Sequence, residues 1–110
     1  MAIGLPTGSH SLAVNGSALF TKAVVRLTGV WPDYVFKNDY KLKTFDELRG
    51  FIAQNNHLPN IPAAAEVEKN GIEVGDMQKR MMEKIEELTL YIIQQDKRIR
   101  ELEKQVSPNN

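Results

Sequence analysis

Residues Val74–Val106 read VGDMQKRMMEKIEELTLYIIQQDKRIRELEKQV, and this stretch decides the fold. Apolar residues recur there at alternating steps of four and three, the spacing of a heptad seam that faces a partner helix when the helices supercoil. The pattern holds for about four heptads and predicts a coiled coil formed by copies of the chain. The alternative is an amphipathic helix lying on its own domain. The seam consists of Ile85, Ile92, Ile99 and Val106 at positions a and of Met81, Leu88, Gln95 and Leu102 at positions d.

A second apolar stripe lies beside the seam over the first half of this helix. Leu90 and Ile93 point away from the seam, and Met82 flanks it. Because solvated positions of a coiled coil normally carry polar or charged residues, we expect another part of the chain to cover this stripe. Beyond Asp96 the outer positions are all polar, so we expect the C-terminal half of the helix to project uncovered.

Two opposing features bear on the number of chains in the coiled coil. Isoleucine at a with leucine at d favours a parallel dimer. Gln95 at a d position, where copies can bond one another around the axis, and the wide apolar surface favour a thicker assembly. Arg98 and Glu103 stand where they can pair between parallel neighbours, and a weaker bond can join Tyr91 to Asp96. We therefore predict a parallel homotrimer, with a parallel dimer as the alternative.

The composition narrows the classes of partner. The chain of 110 residues carries 14 basic and 14 acidic residues, and this balance argues against nucleic acid or an anionic membrane surface as the partner. It contains no cysteine, which leaves no disulfide framework and no thiolate chemistry. No apolar run approaches membrane-spanning length, and residues 1–8 lack the basic and apolar regions of a signal peptide. Because so small a chain buries little apolar surface alone, oligomerisation is the expected source of its stability.

The first third of the chain has the pattern of short strands. Residues 1–11 are rich in Gly, Pro, Ser and Thr and are expected to be irregular. Apolar residues then flank Asn15-Gly16, a favoured pair for a tight hairpin, and the alternation over 22–30 predicts a half-buried strand. Since these strands are too few for an independent sheet, we expect strands from several chains to close together and remove exposed edges.

The middle of the chain combines aromatic residues with helix signals. Pro32 ends the preceding strand, and the aromatic residues of 31–36 are expected in a core or subunit interface rather than in a ligand platform. Thr44-Phe45-Asp46-Glu47 is a capping box, which predicts a helix from Phe45 to about Asn55. The two prolines of residues 57–62 exclude a helix there and predict an extended run. A second short helix is expected over 63–69, before a left-handed cap at Asn70-Gly71.

These patterns together predict an α+β fold in three parts. The parts are a β-rich segment over residues 1–30, a small aromatic and helical cap over 31–72, and the coiled-coil helix with a short disordered tail over 73–110. The side chains expected to pack the cap on the long helix are Trp31, Tyr34, Phe36, Phe45, Leu48, Ile52, Leu90 and Ile93.

No catalytic constellation is recognisable in the sequence. Neither His10 nor His57 lies at ligand spacing from another metal-ligating residue, and no glycine-rich phosphate loop follows a strand. His57 is interpreted as a structural hydrogen-bonding residue, and the carboxylates lie mainly on helix faces, where solvated charge is the default. The sequence thus predicts neither enzymatic activity nor a cofactor or metal site.

Several segments resemble the C-terminal module of tail-fibre-like proteins, which are common in bacteria of the Bacteroidetes group and their phages. The segments are WPDYVF at 31–36, DYKL at 39–42, HLPNIP at 57–62, NGI at 70–72 and EKIEELTLY at 83–91. The N-terminal part, Ile3-Gly4 and residues 12–16, is similar to the repeat that closes the fibre shaft before such a module. The resemblance implies that the chain is the end of a longer, threefold extracellular fibre.

The expected function is therefore structural: a tip that trimerises the fibre and sets its folding register. Its expected partners are copies of itself, the fibre shaft and a cell-surface receptor or glycan. One alternative is a dedicated receptor- or carbohydrate-binding module. Another is a self-cleaving intramolecular chaperone of the kind that ends phage endosialidase tailspikes. Its nucleophile would have to be Ser9, Ser11 or Ser17, each of which is interpreted as a turn residue.

Overall fold

One long helix carries the rest of the chain in the computed structural model, which describes residues 10–106. The elements in order are a 3₁₀ turn at Tyr34–Phe36, α1 at Phe45–Asn55, α2 at Ala64–Asn70 and α3 at Val74–Val106. The radius of gyration is 20.7 Å, against about 13 Å for a compact chain of this size. The elongated shape follows from α3, whose 33 residues span about 50 Å.

The expected α+β fold is wrong, because residues 10–106 contain helices and no β-strand. Residues 12–30, which were predicted to form strands, run irregularly and are almost entirely exposed. Gly29 adopts a φ of +86°, which interrupts the extended run before Val30. A strand is stabilised by backbone hydrogen bonds to a neighbouring strand, and the described residues 10–106 provide no strand beside residues 12–30.

The capping signals recognised in the sequence lie at the ends of the two short helices. The Glu47 amide donates to Thr44 Oγ1 at 3.1 Å, and the Thr44 amide donates to Glu47 Oε1 at 3.1 Å, which completes the capping box at the start of α1. The backbone hydrogen bond from Thr44 lowers the pKa of Glu47. Asn56, which directly follows α1, adopts a left-handed φ of 59°, and Gly71, which directly follows α2, has a φ of 70°.

The segment expected to run extended between α1 and α2 contains a tight turn. The Ile61 amide donates to the Leu58 carbonyl at 3.2 Å. Asn60, the third residue of the turn, has a φ of 63°. Proline at the second position and a left-handed residue at the third are the features of a type II turn. This turn aims Asn60 at α3.

The segment before the cap crosses α3 at its first turn. Gly75 is buried there, and a Cβ atom at this position would lie 2.1 Å from Leu27 Cδ2. The glycine therefore permits a close approach that any larger residue would block. One helical turn later, Lys79 Nζ donates to the Thr28 carbonyl at 2.7 Å.

Apolar burial within one chain is minimal. Within residues 10–106, Val35 and Pro32 are the only fully buried apolar side chains. Residues 1–9 of the segment 1–11 that was expected to be irregular, which include Ser9 and Ile3-Gly4, lie outside the described part, as does the expected tail over residues 107–110. A core of this size does not stabilise a domain by itself.

Candidate self-association surface

The cap docks on the face of α3 that points away from the seam. We call this the outer face and define it as the heptad positions b, c and f of residues 76–90. Along it, the cap residues Tyr34, Tyr40 and Asn60 donate hydrogen bonds to Glu83 and Glu87 instead of forming an apolar layer. This arrangement inverts the usual amphipathic helix, in which the apolar face packs on its own domain.

Glu83 is the central residue of the outer face, and its side chain is only 11% exposed. Tyr34 donates its hydroxyl to Glu83 Oε2, and Asn60 Nδ2 donates to Glu83 Oε1 at 3.1 Å. Lys84 Nζ lies 3.3 Å from the same Oε1. Burial acts to raise the pKa of Glu83, but these donors and the positive charge outweigh it, so that the pKa is lowered. The same hydrogen bond, followed by burial, raises the pKa of Tyr34 to about 12.

A second carboxylate, Glu87, repeats this arrangement one helical turn further along. Tyr40 donates its hydroxyl to Glu87 Oε2, and Lys84 Nζ donates to Oε1 at 2.8 Å. Burial and this hydrogen bond raise the pKa of Tyr40. Tyr91 then donates its hydroxyl to the Lys43 carbonyl at 2.7 Å. Two tyrosines and one lysine thus hold a pair of carboxylates that would be costly to bury without partners.

Arg80 connects the Asn60 turn to the helix from the other side. Its Nη1 donates to the Asn60 carbonyl at 3.0 Å, and its Nε donates to Asp76 Oδ2 at 2.8 Å. The turn therefore contacts α3 through both its backbone and its side chain. The sequence reasoning did not identify this network. The only sign of the network in the sequence is a set of three acidic residues opposite the seam. Glu86 and Glu87 follow Glu83 by three and four residues.

Glu86 is the exception on the outer face. It is buried, with 7% of its surface exposed, and its Oε1 is the one buried side-chain polar atom in residues 10–106 without a hydrogen-bond partner. Burial raises the pKa of Glu86, and the neighbouring Asp33 carboxylate raises it further, with a smaller contribution from Glu83. Folding therefore disfavours the charged form of Glu86 relative to the unfolded chain.

Glu86→Gln should raise the melting temperature at pH 7, because it removes a charge that the fold disfavours. A raised folded-state pKa gives stability that is complete below the unfolded-state pKa, about 4.3 for glutamate, and that is lost as pH rises through the folded-state pKa. The gain should therefore vanish on acidification below about pH 4.3. Thermal melts across pH, with the exposed Glu101→Gln as control, measure it. A less stable variant at pH 7 would contradict the reasoning.

The seam, by contrast, is bare in the single chain. All seven of its apolar residues are exposed, from 48% for Leu102 to 82% for Val106, and Gln95 is exposed as well. Ile92, near the middle, is 67% exposed. An apolar surface of this length on a soluble helix is typical of an interaction site.

The eight side chains expected to pack the cap on α3 fall into two groups. Half-buried are Tyr34, Phe45, Leu48 and Leu90. Tyr34 uses its hydroxyl, as described, and the Phe45 ring lies 5.0 Å from the Tyr91 ring. Mostly or substantially exposed are Trp31 at 45%, Phe36 at 54%, Ile52 at 40% and Ile93 at 59%. The chain's own cap therefore covers Leu90 of the second stripe and leaves Ile93 uncovered.

The remaining features of the described part define no further site. His57 Nδ1 lies 2.8 Å from the Leu58 carbonyl, and its ring meets the edge of Phe51. Over residues 10–106, no group of three or more His, Asp or Glu stands where it could hold a metal ion. No helix in this range has both the length and the apolar character needed to cross a bilayer. No protein-family model, curated protein or solved structure matches the chain.

Proposed function

We propose that the chain is a trimerisation module: three parallel copies join along the seam, and the caps decorate the outside of the resulting coil. The observation that carries the proposal is the division of α3 into two faces. The cap occupies the outer face, and the apolar seam is left exposed on the opposite side. A second and third copy supply the surface that the seam requires, because each copy presents the same heptad spacing.

The charges flanking the seam support a parallel arrangement. In parallel coils, position g of one helix lies beside position e of the next. This places Arg98 near Glu103 and Tyr91 near Asp96 of the neighbour. An antiparallel pair would instead bring the e positions together, with acidic residues opposite each other. Closed threefold symmetry also requires parallel chains, since all copies are related by one rotation axis.

The wider role follows from the resemblance to tail-fibre-like proteins. As part of the same proposal, the module is the C-terminal tip of an extracellular tail fibre or fibre-like adhesin, where it brings three chains together and sets their register. The polar Gln95 layer suits this role, since a polar residue in a seam fixes register at some expense of stability. A receptor contact would then be made by the exposed parts of the cap.

Sedimentation equilibrium tests the assembly directly. At micromolar concentration we expect three times the mass of one chain. We do not expect a stable monomer, because a single chain buries little apolar surface and exposes the whole seam. A dimer mass would contradict the trimer, and a folded monomer would contradict the whole proposal. Repeating the measurement with the fibre shaft attached tests the tip role, because the shaft should become trimeric only when the module is present.

A further inference from the structure

Residues 22–27, which we call the arm, cross the start of α3 beside the seam. A Cβ atom at Gly75 would lie 3.1 Å from Val25 Cγ1 and 2.1 Å from Leu27 Cδ2. Gly75 is the second residue of α3 and occupies position e, which flanks the seam. The arm therefore lies on the e edge of its own helix, at the level where that helix begins.

The opposite side of the arm has no partner in the single chain. Val25 and Leu27, two residues apart, both lie against α3, so Val24 and Arg26 point away from it, as in any extended segment. Val24 is 84% exposed, and Lys22 and Arg26 are exposed as well. Neither of these two cations forms an ion pair within residues 10–106. This side of the arm is thus apolar at its centre and basic at both ends.

A pocket opens on the other flank of the seam, between α2 and the first turns of α3. Its volume is about 160 Å³, and its apolar lining consists of Pro62, Ile72 and Met77. Met77 occupies position g, and Ile72 is 53% exposed. A cavity of about 150 Å³ can hold a benzene molecule. The pocket therefore has room for one aliphatic side chain.

The rim of this pocket carries unpaired negative charge. Its charged residues are Glu66, Glu73, Asp76 and Arg80. Arg80 and Asp76 pair with each other at 2.8 Å, whereas Glu66 and Glu73 form no ion pair within residues 10–106. An apolar pocket with two free carboxylates complements the outward side of the arm, which presents one valine between two cations.

Parallel association brings the arm and the pocket together. The e edge of one helix adjoins the g edge of the next in a parallel coil, and rotation about one axis keeps equivalent residues at equal heights. Gly75, beneath the arm, and Met77, in the neighbour's pocket, then differ in height by about 3 Å. The arm of one copy therefore lies at the level of the neighbour's pocket.

We infer that the arm of each copy docks in this pocket of its neighbour: Val24 enters between Ile72 and Met77, and the two cations of the arm meet the free carboxylates of the rim. The inference rests on the proposed parallel self-association, but it holds for a dimer or a trimer, because both place e beside g. The docking adds a second contact between copies, outside the seam, and buries a valine that the single chain leaves exposed.

Two chains with one cysteine each test the docking, because the parent chain has none. A tagged Val24→Cys chain is co-expressed with an untagged Ile72→Cys chain, and the assemblies purified on the tag are oxidised mildly. A disulfide between a tagged and an untagged chain can form only between copies. The matched control uses Ile93→Cys in place of Ile72→Cys. Ile93 is similarly exposed, at 59%, but lies about 27 Å beyond Gly75 along α3.

The outcomes separate the docking from the assembly. We expect a tagged–untagged disulfide for the Val24/Ile72 pair and none above background for the Val24/Ile93 pair. If the untagged chain co-purifies with the tag but the two pairs do not differ, the docking is wrong and the seam stands. If the untagged chain does not co-purify, the docking and the proposed function fail together.

The charges are tested in the same assay. Replacing Glu66 and Glu73 by glutamine in the Ile72→Cys chain should lower the yield of the disulfide, because the cations of the arm lose their partners. An unchanged yield would overturn the pairing of the arm's cations with the rim.

Discussion

Ile92→Asp should abolish assembly and leave the chain largely unfolded. Ile92 occupies an a position near the centre of the seam and is 67% exposed in one chain. In the proposed trimer it meets two copies of itself around the axis. Burying an unpaired carboxylate costs several kcal/mol per ion, and three would share one layer. Because a small domain has about 5–15 kcal/mol of total stability, a single layer of this kind exceeds what the assembly can tolerate.

Circular dichroism and sedimentation at equal concentration measure this effect. The matched control is Gln94→Asp, which introduces the same residue in the same helix at an exposed position outside the seam. The control should retain the helical signal and the mass of the assembly. A helical, soluble monomer for Ile92→Asp would show that the seam is unnecessary for folding, and a fully assembled variant would show that it is not the interface.

The long helix and α1 could be predicted from the sequence because both have local signals. The heptad spacing of α3 repeats over many residues, and its strong helix formers add to it. α1 has a capping box at Thr44 and a left-handed asparagine at its end. Each signal lies within the element it specifies, so the bounds of α1 follow from the neighbouring residues alone. The strand pattern of 12–30 is also local, but a strand requires a neighbouring strand, and the part of the chain that the structure describes contains none.

The docking of the cap could not be predicted in the same way. Tyr34 was expected to pack the cap on the helix and Tyr40 was assigned no contact with it, whereas both donate their hydroxyls to carboxylates nearly fifty residues away. Such bonds depend on one atom meeting another and leave no periodic trace in the sequence. The Asn60 turn has a recognisable local pattern, proline followed by asparagine, but its partner Glu83 has the appearance of an ordinary solvated helix residue.

The two faces of α3 have different roles in the proposed assembly. The seam is apolar and repeats along the whole helix, so it suits an assembly in which identical chains align. The outer face is mainly polar and lies within residues 76–90, so it fixes the cap at one height along α3. The tyrosine and asparagine bonds lie opposite the seam, and self-association therefore need not disturb them. This separation predicts that damage to one face leaves the function of the other intact.

Glu83→Ala should release the cap from α3 while the chains stay assembled. The substitution leaves the Tyr34 hydroxyl and the Asn60 amide without their acceptor, and Lys84 keeps only Glu87. Leaving a donor without its acceptor costs about 1–3 kcal/mol for each group, and the two fully buried apolar side chains of the cap, Val35 and Pro32, are too few to hold the cap in place alone. The seam positions do not touch Glu83, so the mass in sedimentation should be unchanged.

Limited proteolysis of residues 31–72, together with the fluorescence of Trp31, reports whether the cap has been released. Glu101→Ala, an exposed carboxylate on the same helix, is the control and should behave as the parent chain. Acid should act similarly on the parent: the lowered pKa of Glu83 gives stability that is present above the unfolded-state pKa and lost as pH falls through the folded-state pKa. Glu83→Ala should lose this contribution to the pH dependence. If the variant also dissociates, the two faces are coupled and the cap contributes to holding the chains together.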